Sequence, residues 1–201
     1  MKIILIRHGQ THQNVAQTIQ GQTEGQLTDE GIRQAKKLGE RLKDEKIDVI
    51  ISSDLLRVRA TVEEIIKHHK LIPVVFDKEA RERNFGVFEG RNYNELLSER
   101  ERLGQSRFEH RPEGGESYEQ FRKRAERFFE KVYKEHSGKT VLVAAHGGFN
   151  KVLLSVMLNI SLENAVETIE QHNTCVNIIE IKDRKNPKVH TINCIKHLEI
   201  E

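Results

Sequence analysis

Two stretches far apart in the chain each close an apolar run with a histidine and a glycine. One is Ile3-Ile4-Leu5-Ile6-Arg7-His8-Gly9; the other is Ala144-Ala145-His146-Gly147-Gly148. A neutral imidazole is a nucleophile, and an arginine beside it suits an anionic substrate, phosphate first of all. Taken singly, neither stretch says much. A histidine after a strand is more often a hydrogen-bonded structural residue than a catalyst. No G-x-G-x-x-G follows Gly9, so a dinucleotide site is not indicated. The recurrence of the pattern at two strand ends is what singles the pair out. Short β-branched runs bounded by polar residues read as buried strands, and ligands bind in the crevice at the carboxyl ends of strands in open α/β sheets. Gly9 is expected to let the backbone come close to whatever sits there.

Arg7-His8-Gly9-Gln10-Thr11, with Asn14 behind it, resembles the signature of the histidine phosphatase superfamily, in its phosphoglycerate-mutase-like branch. Leu27-Thr28-x-x-Gly31-x-x-Gln34-Ala35, Ser53-Asp54-Leu55-x-Arg57, Glu82-x-x-Phe85-Gly86-x-x-Glu89-Gly90, Pro112-x-Gly114-Gly115-Glu116-Ser117 and Ala145-His146-Gly147-Gly148 are similar to further motifs of that family. They fall in the family's order over nearly the whole chain. The resemblance implies an α/β fold: three layers, α/β/α, around a mostly parallel, mixed central sheet. It also implies a small phosphatase in which His8 is the nucleophile and forms a phosphohistidine. Arg7, Arg57 and His146 would surround the phosphoryl group, and Glu82 would act as general acid and base. Asn14, Thr11, Gln20, Gly21 and Gly147 would contact substrate.

The chemistry agrees with those roles. Phosphoryl transfer relies on positioning and on electrostatic stabilisation of charge spread over the phosphoryl oxygens. The attacking imidazole must be neutral, with its other ring nitrogen pinned by a backbone carbonyl. Guanidinium forks match phosphate oxygens in a way lysine does not. A carboxylate beside a phosphate dianion is driven toward its protonated form, ready to protonate a leaving alkoxide. By residue type alone, Glu82 is indistinguishable from Glu79 or Glu89. No H-E-x-x-H and no His/Cys cluster is present, so neither a metal nor a cofactor is expected.

Three readings compete. The first is a metal-independent phosphomonoesterase acting on small phosphorylated metabolites. The second is a cofactor-dependent phosphoglycerate mutase, which shares the pocket. Mutases of the family usually have His-Tyr-Gly where Asn84-Phe85-Gly86 stands here, and a longer insertion than Arg91 to Pro112 provides; both favour the phosphatase. The third is an inactive binding member, which would lack at least one of Arg7, His8, Arg57, Glu82 and His146; all five are present. The substrate itself is not legible. Arg83, Arg107, His110 and Arg111 either hold a second anionic group, as in a sugar bisphosphate, or are solvated.

At 201 residues the chain fits one domain, 1–201. A net charge of +2 gives no support to nucleic-acid binding. Two cysteines, Cys175 and Cys194, make no disulfide framework and are expected in strands as small core or edge residues. No apolar run approaches the ~18 residues of a membrane span, and the first strand begins too early for a signal peptide. A cytoplasmic protein, monomeric or homodimeric, is expected, with a small phosphorylated metabolite as its partner and neither nucleic acid nor membrane.

The remaining elements must carry these residues into one place. Gln10 to Gln26 reads as a polar loop with a short helix, beside the active strand end. Thr28 caps a helix with Ile32, Ala35, Leu38 and Leu42 on its inner face. Asp48 to Ser52 is a strand ending in Ser53-Asp54. A helix from about Leu55 follows, with Arg57 in its first turn, where backbone N–H groups and the guanidinium are expected to share an anion. Ile72 to Phe76 is a short strand, at its start or at an edge because of Pro73. Asn92 to Leu103 and the segment from Ser117 are helical; Thr140 to Ala145 is a buried strand with a helix behind it. Ser161 caps a shorter helix, and Thr174 to Ile181 with Val189 to Ile195 reads as a hairpin that makes the sheet mixed.

Overall fold

The computed structural model describes residues 1–199. Strands β1 (Lys2–Arg7), β2 (Val49–Ser52), β3 (Val74–Phe76), β4 (Thr140–Ala145), β5 (Val176–Glu180) and β6 (Lys188–Cys194) form one sheet in the order β3-β2-β4-β1-β5-β6. The pairs β1–β4, β4–β2 and β2–β3 are parallel, whereas β5 runs antiparallel to β1 and β6 antiparallel to β5. The sheet is therefore mixed through its terminal hairpin, and Pro73 stands just before the edge strand β3. Cys175 lies one residue ahead of β5, so only Cys194 of the two thiols is in a strand.

Successive side chains of a strand point to opposite faces, and here each face meets helices. Ile3, Leu5, Val141 and Val143 pack with Phe121, Phe128, Phe149 and Leu153. These belong to α5 (Tyr118–Glu135) and α6 (Gly147–Leu158), with α7 (Leu162–Thr168) beside them. Ile4, Ile6, Ile50 and Leu142 pack instead with Leu38, Leu42, Val58 and Val62 from α2 (Asp29–Leu42) and α3 (Leu56–Ile66). The result is three layers, α/β/α. Ile32, expected on the inner face of α2, is exposed; the first buried position of that helix is Gly31 instead.

Ile19, Phe88 and Leu96 form a smaller, separate cluster. It joins the loop holding α1 (His12–Val15) to α4 (Tyr93–Leu103). Among the described residues no helix is long and apolar enough to cross a membrane.

Candidate active site

Arg7 and Ala145 are register partners at the carboxyl ends of β1 and β4, so His8 and His146 leave the sheet side by side. The His8 backbone N–H donates to Ala145 O at 3.2 Å, and the two rings lie edge to face with centroids 5.3 Å apart. Both are buried, at 3% and 0% exposure.

His8 Nδ1 faces the carbonyl of Gly9 at 2.8 Å. A carbonyl only accepts, so Nδ1 carries the proton and Nε2 keeps its lone pair. Burial, then the charges of Arg57 and Arg7, hold the imidazole well below its ordinary protonation range. His146 is neutral for the same reasons, burial first. Its Nε2 meets Ser53 Oγ at 2.8 Å, which leaves Nδ1 as a donor when the serine hydroxyl donates.

Gly9 has a packing role that the sequence does not announce. A Cβ there would lie 2.5 Å from Gly31 O, and a Cβ on Gly31 would lie 2.0 Å from Gln10 O. The two glycines let the turn after β1 press against the start of α2.

Arg57 differs from expectation. Leu56 N–H donates to Glu24 Oε2 at 2.9 Å and Leu55 N–H to Ser53 Oγ at 3.4 Å, so the start of α3 is already capped. The Arg57 guanidinium turns away to the loop, donating through Nη1 to Thr23 O and through Nη2 to Gly21 O, both at 2.8 Å. Burial lowers its pKa to about 10. Arg7 is anchored through Nη1 to Gln171 O at 2.6 Å. Among the described residues, neither arginine has a carboxylate within ion-pair distance.

What these anchors leave over is informative. Among the described residues, four buried side-chain nitrogens lack a partner, and three of them are Arg7 Nε, Arg57 Nε and His146 Nδ1. Buried polar nitrogens without a partner are costly; two of these belong to the guanidinium groups whose charges act on the His8 ring, and the third to the ring packed against it. The arrangement is shaped for an anion.

Glu82 is distinguished from its neighbours by place. Its Oε1 accepts from Arg83 N (2.9 Å) and Phe149 N (3.0 Å), and its Oε2 from Gly148 N (2.9 Å). It thus caps α6, the helix that His146 opens; a Cβ on Gly148 would lie 2.5 Å from Glu82 Oε1. Glu79 pairs with Arg127 outside the site. Glu89 takes Gln22 N and Phe85 N and ties two loops together.

The other expected contacts divide. Asn14 stands near the strand end, its Oδ1 accepting from Thr11 N at 3.1 Å. Thr11 is fully buried and caps α1 with its hydroxyl. Gly21 gives its carbonyl to Arg57, the Gln20 Oε1 is buried without a partner, and Gly147 lies against the Arg7 guanidinium. Arg83 and His110 are buried, not solvated: Arg83 donates to Glu116 O and His110 O and stacks on Tyr118.

Several contributors carry no sequence signal of their own. Arg124 holds Glu116 through two nitrogens and donates to the carbonyls of Glu79, Arg81 and Glu82. Asp54 binds both forks of Arg81 at 2.6 Å. Glu116 and Asp54 lie in recognised motifs; Arg124 and Arg81 are the partners such buried or part-buried carboxylates require. Among the described residues no group of His, Cys, Asp or Glu is gathered to hold a metal ion.

The sequence profile described as "Histidine phosphatase superfamily (branch 1)" matches residues 3–195. This chain belongs to that superfamily. Within it, the chain is 33% identical over 190 residues to a metal-independent phosphoserine phosphatase of Arabidopsis thaliana, covering 92% of this chain and 78% of the relative. It is 29% identical over 204 residues to phosphoglycerate mutase-like protein 4 of the same plant, covering 98% and 87%. The crystal structure of the α-ribazole phosphatase from Shigella flexneri superposes with a TM-score of 0.88 at 26% identity, over 97% of each chain. This histidine phosphatase shares their fold and is, by family, a phosphatase.

Proposed function

We propose that the chain is a single-domain, metal-independent phosphomonoesterase that hydrolyses small phosphorylated metabolites through a phosphohistidine on His8. The observation that carries the reading is the set of three unpartnered buried nitrogens, on Arg7, Arg57 and His146, all on residues that act on the His8 ring, whose Nε2 is unprotonated. In the first step the Nε2 lone pair forms a bond to phosphorus while the P–O ester bond breaks. The leaving oxygen takes a proton from Glu82. Of the four lone-pair directions of that carboxylate, three accept backbone N–H groups, and the remaining one, on Oε2, carries the proton. In the second step water attacks phosphorus, its proton passes to Glu82, and the P–N electron pair returns to Nε2. Inorganic phosphate leaves. The arginines and His146 stabilise charge on the same oxygens in both steps, the part a metal ion plays elsewhere.

His8→Ala tests this. Turnover should vanish while the fold is kept, and acid-labile phosphate trapped on the wild type should be missing from the variant. Appreciable hydrolysis by the variant would remove His8 from the role. Release of inorganic phosphate, without an isomerised phosphoester, separates the hydrolase from the mutase.

A further inference from the structure

The segment from Gln171 to Thr174, between α7 and β5, touches three residues of the site at once. Gln171 O accepts from Arg7 at 2.6 Å. The carbonyl of His8 accepts both the Thr174 N–H at 3.3 Å and the Asn173 side-chain amide at 3.1 Å. The same Asn173 Nδ2 lies 3.2 Å from Asn14 Oδ1. The segment is itself braced: the buried Gln171 side chain bonds Asn177 in both directions, at 2.8 and 3.0 Å, and Asn150 donates to it at 3.1 Å. Thr174 has φ 54°, a left-handed value that a β-branched residue rarely adopts. Such strain persists only where surrounding contacts determine it, and here its N–H serves His8.

The partners decide which way both amides point. Thr11 N only donates, so the atom of Asn14 facing it at 3.1 Å is Oδ1. The His8 carbonyl only accepts, so the atom of Asn173 facing it is Nδ2. Both lone pairs of Asn14 Oδ1 are thereby filled, by Thr11 and Asn173. Among the described residues, nothing accepts from Asn14 Nδ2.

We infer that Asn173 is a positioning residue that locks the Asn14 side-chain amide with its NH₂ group toward the transferred phosphoryl group. The inference rests on the phosphoenzyme reading above. Asn173 touches no substrate atom; it acts by denying Asn14 the flipped orientation, which would aim an oxygen at the phosphate.

The test is a double-mutant cycle on the full chain with Asn14→Ala and Asn173→Ala. It is read by kcat/KM for p-nitrophenyl phosphate and by the inhibition constant of orthovanadate. Each single variant should lose about tenfold or more in both, the size of one hydrogen bond to a charged group. The double variant should be no worse than Asn14→Ala alone, because both changes remove the same donor. Loosening of the segment in general would multiply the losses instead. Multiplied losses, or wild-type vanadate affinity in Asn173→Ala, overturn the inference. Asn173→Asp keeps the shape but opposes an acceptor to His8 O and Asn14 Oδ1, so it should do no better than alanine; wild-type behaviour there also overturns it. Should Asn173→Ala not fold, the cycle is run with Asn173→Asp on the same criteria. Turnover surviving in His8→Ala, with no phosphate trapped on the wild type, would refute the phosphoenzyme reading and this inference with it. A trapped phosphohistidine together with multiplied losses would refute this inference alone.

Discussion

Glu82→Gln separates proton donation from anion binding. The carboxylate takes two N–H groups on Oε1, from Arg83 and Phe149, and one on Oε2, from Gly148. A glutamine keeps its carbonyl oxygen where two donors converge, so its NH₂ group faces Gly148 N–H and that bond is lost. The loss is one hydrogen bond to a charged group, ~1.5–3 kcal/mol, and the negative charge at the start of α6, ~0.3–1 kcal/mol. A domain with the usual ~5–15 kcal/mol of net stability survives that. The variant should fold, with a lower unfolding midpoint. What an amide cannot do is deliver an acidic proton. On an alkyl phosphate, whose alkoxide leaves poorly, kcat/KM should fall by the ~10²–10⁴-fold typical of lost general acid catalysis. On p-nitrophenyl phosphate, whose phenolate leaves readily, the loss should be much smaller. Arg57→Ala removes stabilisation common to both substrates and should depress them comparably. Steady-state kcat/KM for wild type and both variants on the two substrates decides. Equal losses for Glu82→Gln would mean that the carboxylate only caps α6. Glu89 is poorly placed to substitute, since its carboxylate already ties Gln22 to Phe85.

Chelation by EDTA should leave activity unchanged, and added Mg²⁺ should not be needed, while orthovanadate and inorganic phosphate compete with substrate; a strict divalent-ion requirement would defeat the proposed chemistry. Ser53→Ala removes the hydroxyl that meets His146 Nε2 and should lower kcat/KM by about tenfold, one hydrogen bond's worth at the site; an unchanged rate would show that the ring is oriented by packing alone. Burial and neighbouring cations hold His8 and His146 well below the usual range, and bring His197 to about 4. The unfolded chain, with ordinary histidines, therefore binds more protons below pH ~6.5, and stability should fall as pH drops from ~6.5 toward 4. The slope is ~1.4 kcal/mol per pH unit for each such histidine. Denaturant midpoints at pH 7, 6 and 5 check this, and a flat profile would refute it.

Much of the fold was legible because the strands are short apolar runs and the helices carry clear caps. Thr28, Asn92, Ser117 and Ser161 each cap the helix that follows them. What escaped had physical reasons. Ile32 reads as core by periodicity, yet Gly31 brings the backbone of α2 so close to Gln10 that the neighbouring face turns outward. The start of α3 reads as an open anion site, but Glu24 reaches it from a loop 32 residues earlier in the chain. Arg7, His8, Arg57, Glu82 and His146, scattered in the sequence, lie close enough in the fold for their charges and rings to act on one another. Their supports do not announce themselves. Gln171, Asn173 and Asn177 are ordinary amides in sequence, and their meaning lies in contacts spanning most of the chain.

The placement of His8 and His146 one step beyond paired residues of adjacent strands has a consequence for how this enzyme can change. Neighbouring strands in any sheet sit ~4.7–4.9 Å apart, a spacing set by backbone hydrogen bonds and not by side chains. The separation of the two rings, 5.3 Å between centroids, is inherited from that ruler. The cavity beside Asn14 is lined from elsewhere, by the loop after β1 and the start of α4. Changes in that lining can reshape the cavity without moving the histidine pair. Library mutagenesis aimed at new substrates should therefore tolerate diversity at the exposed positions of 97–106, and almost none in the two central strands or at Gly21, Thr23 and Glu24, which hold Arg57 and the start of α3.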